Sequence, residues 1–219
     1  MQDLAIIFDL DGTLIDSAPV VATILNDMRG NEGLPPLPLQ FYRNLSSHGG
    51  AVLVGHALDI EPTQAESLVT EFRARYACAD TPSDSVFPSV RETLQLLQRN
   101  GAKLAICSNK PQQLCNKVLY DTDLLGYFNG VVGGDTTAFK KPHRAPVDLA
   151  LSMCGDASRA VFVGDSLIDQ EAARCASLPF VFFSGGYESA IDEGYVHHRI
   201  SAMSELLEID LSRQGSTTC

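Results

Sequence analysis

The stretch that most constrains this chain is its opening, Leu4 to Leu14, L-A-I-I-F-D-L-D-G-T-L. A short unbroken apolar run reads as a strand buried on both faces, the mark of a parallel sheet. Asp9 and Asp11 then stand just past its carboxyl end, where open α/β sheets bind their ligands. Two carboxylates this close repel. At an effective dielectric of about 20, unit charges about 4 Å apart cost roughly 4 kcal/mol. Either a cation joins them or one of them takes a proton.

Beyond this strand the chain divides into two parts. Asp16, Ser17 and Pro19 mark a helix start. Val20, Val21, Ile24, Leu25 and Met28 carry the helix to about Met28, and Gly30, Gly33 and three prolines break it. Phe41 to Leu45 and Ala51 to Leu58 read as further helices, separated by the polar turn Ser46-Ser47-His48-Gly49-Gly50. Thr63-x-x-Glu66 is a capping-box pattern before Leu68, Val69, Phe72 and Tyr76 at helical spacing. Residues 15–87 are therefore expected to be all-helical, inserted between the first strand and everything after it.

From Pro88 the rhythm changes to helices alternating with strands at Lys103 to Cys107, Gly130 to Gly133, Ala160 to Val163 and Pro179 to Phe183. Helices are expected from Val90, Pro111, Ala145 and Asp169, with a closing helix over Ala202 to Leu207. Such alternation implies right-handed crossovers and a mostly parallel sheet. Residues 212–219 are polar and read as a frayed tail.

The net charge of −11 argues against nonspecific nucleic-acid binding and against docking on anionic membranes. No apolar run is long enough to span a bilayer, and the acidic start gives no sign of a signal peptide. The six cysteines show no metal-site spacing and read as reduced thiols, several of them in the core. A cytoplasmic address is the resulting expectation.

The remaining chemistry gathers at strand ends: Ser108 and Asn109 after the second strand, Asp165 after the fourth, Asp169 one helical turn on. Lys140, Lys141 and Pro142 precede a helix. In a parallel sheet these ends face one crevice. D-L-D-G-T (9–13), Ser108 of I-C-S-N-K-P, Lys141 of K-P-H-R-A-P and G-D-S-L-I-D (164–169) match, in order, the four motifs of the haloacid dehalogenase-like superfamily. The chain resembles its phosphoglycolate phosphatase group, with Ile168 standing where asparagine is common. The resemblance implies an α/β fold: a Rossmann-like parallel-sheet core (1–14 plus 88–211) with an inserted all-helical cap domain (15–87).

It also implies roles. Asp9 is the expected nucleophile, already ionised at neutral pH. Asp11 is the expected general acid and base. Lys141, preferred to Lys140 because it directly precedes the proline, offsets charge on the transferring group. Ser108 and Asn109 donate to phosphoryl oxygens. Asp9, Asp165, Asp169 and the Asp11 carbonyl are expected to hold Mg²⁺. His48 and Gly49 are candidates for a substrate-selecting loop. Asp135 is a candidate carboxylate behind Lys141 or the metal, and His143 a support for the lysine loop. His197 and His198 read as surface residues.

The expected activity is Mg²⁺-dependent hydrolysis of a small phosphorylated metabolite, phosphoglycolate favoured, by a monomer or homodimer. A phosphomutase of the β-phosphoglucomutase kind shares the motifs. A noncatalytic binding or regulatory protein on the same fold is the third reading, and the presence of Asp9, Asp11 and Lys141 weighs against it.

Overall fold

The computed structural model describes residues 3–187 and 190–211. Strand β1 (Leu4–Phe8) is buried along its whole length, as its apolar run demands. Five helices follow it: α1 (Ala18–Asn31), α2 (Leu39–Leu45), α3 (Gly50–Ala57), α4 (Glu66–Cys78) and α5 (Val90–Arg99). Then come β2 (Lys103–Cys107), α6 (Gln112–Asp121), β3 (Gly130–Val132), α7 (Arg144–Met153), β4 (Arg159–Gly164), α8 (Leu167–Cys175), β5 (Phe180–Phe183) and β6 (His198–Ile200).

The six strands form one sheet in the order β3-β2-β1-β4-β5-β6, and every neighbouring pair is parallel. The chain winds outward from β1 in both directions, so the switch point lies at β1, where a crevice opens at the carboxyl ends. Register sets what reaches it. Phe8 lies level with Ile106 of β2 and Val163 of β4. Asp9, Ser108 and Asp165 therefore leave the sheet side by side.

Strand alternation divides the core. Leu4, Ile6 and Phe8 join Leu104, Ile106, Val161 and Val163 on one face. Ala5 and Ile7 join Ala105, Cys107, Phe162 and Phe180 on the other. The first cluster continues into the helical segment through Leu25, Tyr42, Val54, Phe72 and Tyr76. That segment leaves and returns along two paired stretches: Asp16 N–H donates to Ser85 O (2.7 Å) and Phe87 N–H to Leu14 O (3.0 Å).

Several local expectations are corrected. Helix α1 runs through Gly30 to Asn31. A helical glycine costs only about 1 kcal/mol. Buried Arg29 offsets this by donating to the carbonyls of Pro35 and Ala57. The capping box at Thr63 does not form: Pro62 opens a separate turn over Pro62–Gln64, and α4 starts at Glu66 without a side-chain cap. The closing helix is a short 3₁₀ segment, Met203–Leu207. Ahead of it stands β6, which the sequence hides because only Ile200 of its three residues is buried. His197 and His198 are half-buried there, and His197 Nδ1 accepts from Phe180 N–H at 3.1 Å.

Cys107, Cys115 and Cys154 are buried, Cys78 and Cys175 exposed, and all five are free thiols. No helix among the described residues is long and apolar enough to cross a membrane. The expected frayed tail, 212–219, and Cys219 within it lie outside the described residues.

Candidate active site

Asp9 emerges from β1 buried, 6% exposed. Asp165, fully buried, ends β4. Its Oδ1 accepts from the Thr13 hydroxyl at 2.8 Å and its Oδ2 from Tyr187 N–H at 2.8 Å. Gly12 passes so close, at φ +86°, that a Cβ there would collide with the Asp165 carboxylate. Asp169 is the third residue of α8 and forms a reciprocal capping box with Ser166. Its Oδ2 accepts from the Ser166 hydroxyl (2.6 Å) and amide (3.2 Å). A Cβ on Gly164 would meet the Asp169 side chain, so this glycine lets α8 start against the strand end.

These three carboxylates each offer an oxygen within 4.8 Å of the others. Lys141, from the loop before α7, reaches between two of them: its Nζ lies 2.7 Å from Asp9 Oδ1 and 2.6 Å from Asp169 Oδ1. One ammonium against three carboxylates leaves negative charge uncompensated in a buried site. Burial and the Asp169 charge push the Asp9 carboxyl up to about 7, against the pull of Lys141. Burial, Asp169 and Asp9 hold Asp165 well above the ordinary carboxylate range. Burial opposes the Lys141 charge, but Asp169 and Asp9 outweigh it and keep the amine protonated. An all-oxygen donor set short of positive charge fits a hard divalent cation.

Asp11 stands apart from this cluster. Its carboxylate turns to the cleft wall, where Lys110 Nζ lies 2.8 and 3.0 Å from its two oxygens. The Ser17 hydroxyl donates to it at 2.5 Å. The Asp11 side chain is therefore not one of the three carboxylates that gather. Lys110 was legible in C-S-N-K-P but had no role there; the structure gives it the Asp11 partnership.

Asn109 also differs from expectation. Its side chain clamps the Lys141 main chain, donating to Lys141 O (3.1 Å) and accepting from Lys141 N–H (3.0 Å). Its oxygen and one N–H are thereby committed to positioning the lysine, and its Nδ2 also lies 3.5 Å from Ser47 O. Ser108 is buried, and its Oγ accepts from Lys110 N–H at 3.3 Å. Asp9, Asp11, Ser108, Asn109, Lys141 and Asp169 line one cavity with about 260 Å³ of free space, part of it open to solvent, with Ile168 on its wall.

Lys140 is exposed. His143 caps α7 through Nδ1, accepting from Ala145 N–H at 3.0 Å, and stacks on Phe139. Asp135 does not stand behind Lys141: it is exposed and accepts from Gln112 N–H at the start of α6. His48 is exposed and lines no part of the cavity. Gly49 lines a neighbouring cleft, not the cavity at Asp9.

Comparison with known proteins agrees with this geometry. The profile of the haloacid dehalogenase-like hydrolases matches residues 4–177. A phosphoglycolate phosphatase of Caulobacter vibrioides is 39% identical over 195 residues, 85% of this chain and 81% of that protein. One from Rhodobacter capsulatus is 33% identical over 213 residues, 93% of this chain and 96% of that protein. A crystal structure from Haemophilus somnus 129PT, described as a predicted phosphoglycolate phosphatase, superposes with a TM-score of 0.82 at 28% identity, covering 95% of this chain and 98% of the other. The chain belongs to the haloacid dehalogenase-like hydrolases, as a phosphoric monoester hydrolase of their phosphoglycolate phosphatase-like group.

Proposed function

We propose that the chain is a Mg²⁺-dependent phosphatase that hydrolyses 2-phosphoglycolate through an aspartyl-phosphate on Asp9. The observation that carries this reading is the trio Asp9, Asp165 and Asp169, two of them bridged by Lys141, beside an Asp11 that lines the same cavity as Asp9 and Asp169. The relatives' name supports the choice of substrate.

In this mechanism a carboxylate oxygen of Asp9 attacks phosphorus. The new O–P bond forms as the bond to the leaving oxygen breaks, and Asp11 gives that oxygen a proton. Asp11 then takes a proton from water as the water oxygen attacks phosphorus. The bond to Asp9 breaks and inorganic phosphate leaves. Lys141, fixed by Asn109, and Ser108 face the charge on the transferring oxygens. Asp9, Asp165, Asp169 and the Asp11 carbonyl would hold the cation, which would supply neutralising charge to the carboxylates and the phosphoryl group. Residues 15–87 form the cap that shields the crevice from water, hinged on the paired stretches at Asp16 and Ser85.

A phosphate-release assay over a panel of small phosphate esters with Mg²⁺ tests the proposal. Phosphoglycolate is expected to give the highest kcat/KM, EDTA to silence turnover and Mg²⁺ to restore it. Activity that survives chelation, or a product that keeps its phosphate, would refute it.

A further inference from the structure

A second cleft adjoins the cavity at Asp9 and shares Asp11, Ser46, Asn109 and Lys110 with it. It offers about 540 Å³ of free space, part of it open to solvent, with apolar walls at Val21, Leu53, Phe72 and Leu114. A group attached to a leaving oxygen at Asp11 has this cleft to extend into. At the Asp11 end the charges cancel, because Lys110 is committed to the carboxylate and packs over the Tyr76 ring at 4.5 Å.

The other cation of the cleft is Arg73 on α4. Four arginines lie on α1 to α4. Arg29 pairs with Asp59, Arg43 with Asp16, and Arg75 with Asp27 and Glu71. Half-buried Arg73 has no carboxylate partner among the described residues. Its guanidinium lies over the start of α3: a Cβ on Gly50 would sit 3.6 Å from one terminal nitrogen and 4.0 Å from Nε. Gly49 and Gly50 line the cleft, so the N-terminus of α3 lies beside the guanidinium. An unpaired guanidinium next to a helix N-terminus favours an anion on both counts. In a chain of net charge −11, a locally positive cleft requires a specific cause.

We propose that Arg73 selects substrates whose leaving alcohol carries an anionic group, by binding that group at the far end of the cleft. This rests on the phosphatase reading above and names the cap residue that sets its specificity. A carboxylate and a second phosphate both have the required chemistry, and a bidentate pair with the guanidinium fits either.

The test compares kcat/KM for 2-phosphoglycolate and 1,3-propanediol bisphosphate with that for 2-hydroxyethyl phosphate, which lacks the second anion. Wild type is expected to prefer at least one anionic ester. Arg73→Met should cut that preference roughly tenfold to a hundredfold, the size of a lost charge-assisted pair, with the loss falling mainly in KM. Arg73→Lys should restore part of it. Because the readout is a ratio within one protein sample, partial misfolding cannot produce it. An unchanged ratio in Arg73→Met overturns the proposal, as does a wild type indifferent to both anions. If wild type prefers the bisphosphate alone and the preference needs Arg73, the Arg73 assignment stands and phosphoglycolate falls as the substrate.

Discussion

Replacing Asp9 with asparagine tests the electrostatics and the chemistry of the site together. In the metal-free protein, burial and Asp169 lift the Asp9 carboxyl from 3.8 to about 7. Between those values the folded chain holds a proton that the unfolded chain has released. Stability must therefore fall as pH rises through this window. At about 1.4 kcal/mol per pH unit, the full rise is worth about 4 kcal/mol by pH 8. An asparagine amide has no such proton to lose, so Asp9→Asn should show a flatter profile; Asp165, also raised, leaves a residual slope. Lys141 loses one of its two carboxylate partners in the variant, which offsets part of the gain. The net expectation at pH 8 is a metal-free variant more stable than wild type by about 1–3 kcal/mol. That corresponds to a Tm difference of roughly 2–4 °C per kcal/mol, shrinking towards pH 4. Thermal unfolding in EDTA across pH 4–8 reads this directly, and the same sample should show no turnover when Mg²⁺ is added. A wild-type Tm that rises through the window, or a variant with the wild-type slope, would refute the reasoning.

Two further outcomes rest on named contacts. Asn109→Ala releases the Lys141 main chain from both of its hydrogen bonds. It should lower kcat roughly tenfold to a hundredfold with little change in KM, because misplacing a catalytic group costs on that order; steady-state kinetics read the split. Tyr187→Phe removes the hydroxyl that donates to Asp16 Oδ1 at 2.8 Å and accepts from Ala18 N–H at 3.1 Å. It should cost about 1–2 kcal/mol in thermal unfolding, while divalent-cation affinity stays near wild type because the Tyr187 amide still holds Asp165.

Residue patterns that answer to one local rule were legible in the sequence. The apolar run 4–8 had to be a doubly buried strand, and its two aspartates then had to lie at a carboxyl end. Ser108 and Asp165 follow strands, Lys141 precedes a helix and Asp169 lies in the first turn of one, so the parallel sheet brings Ser108, Lys141 and Asp169 to one cavity and sets Asp165 beside Asp9 and Asp169. What escaped reading depends on partners distant in the chain. Lys110 meets Asp11 across 99 residues, and nothing in C-S-N-K-P marks which lysine faces the crevice wall. Asn109 stands at a strand end beside Ser108 and so reads as a phosphate donor, yet its side-chain amide is drawn to Lys141, 32 residues away. Tyr187 links Asp165 to Asp16 through its amide and its hydroxyl, and no local pattern signals that. Strand β6 was missed because its edge position leaves it one buried residue. The Thr63 capping box failed because Pro62 started a separate turn.

The proposed chemistry turns on a phosphoryl group passing through Asp9. Enzyme quenched in acid during turnover of phosphoglycolate with Mg²⁺, then digested and examined by mass spectrometry, should carry a phosphoryl adduct on the peptide containing Asp9. The adduct should be absent from Asp9→Asn. An adduct mapped to any other residue, or steady phosphate release by the Asp9→Asn enzyme, would contradict it.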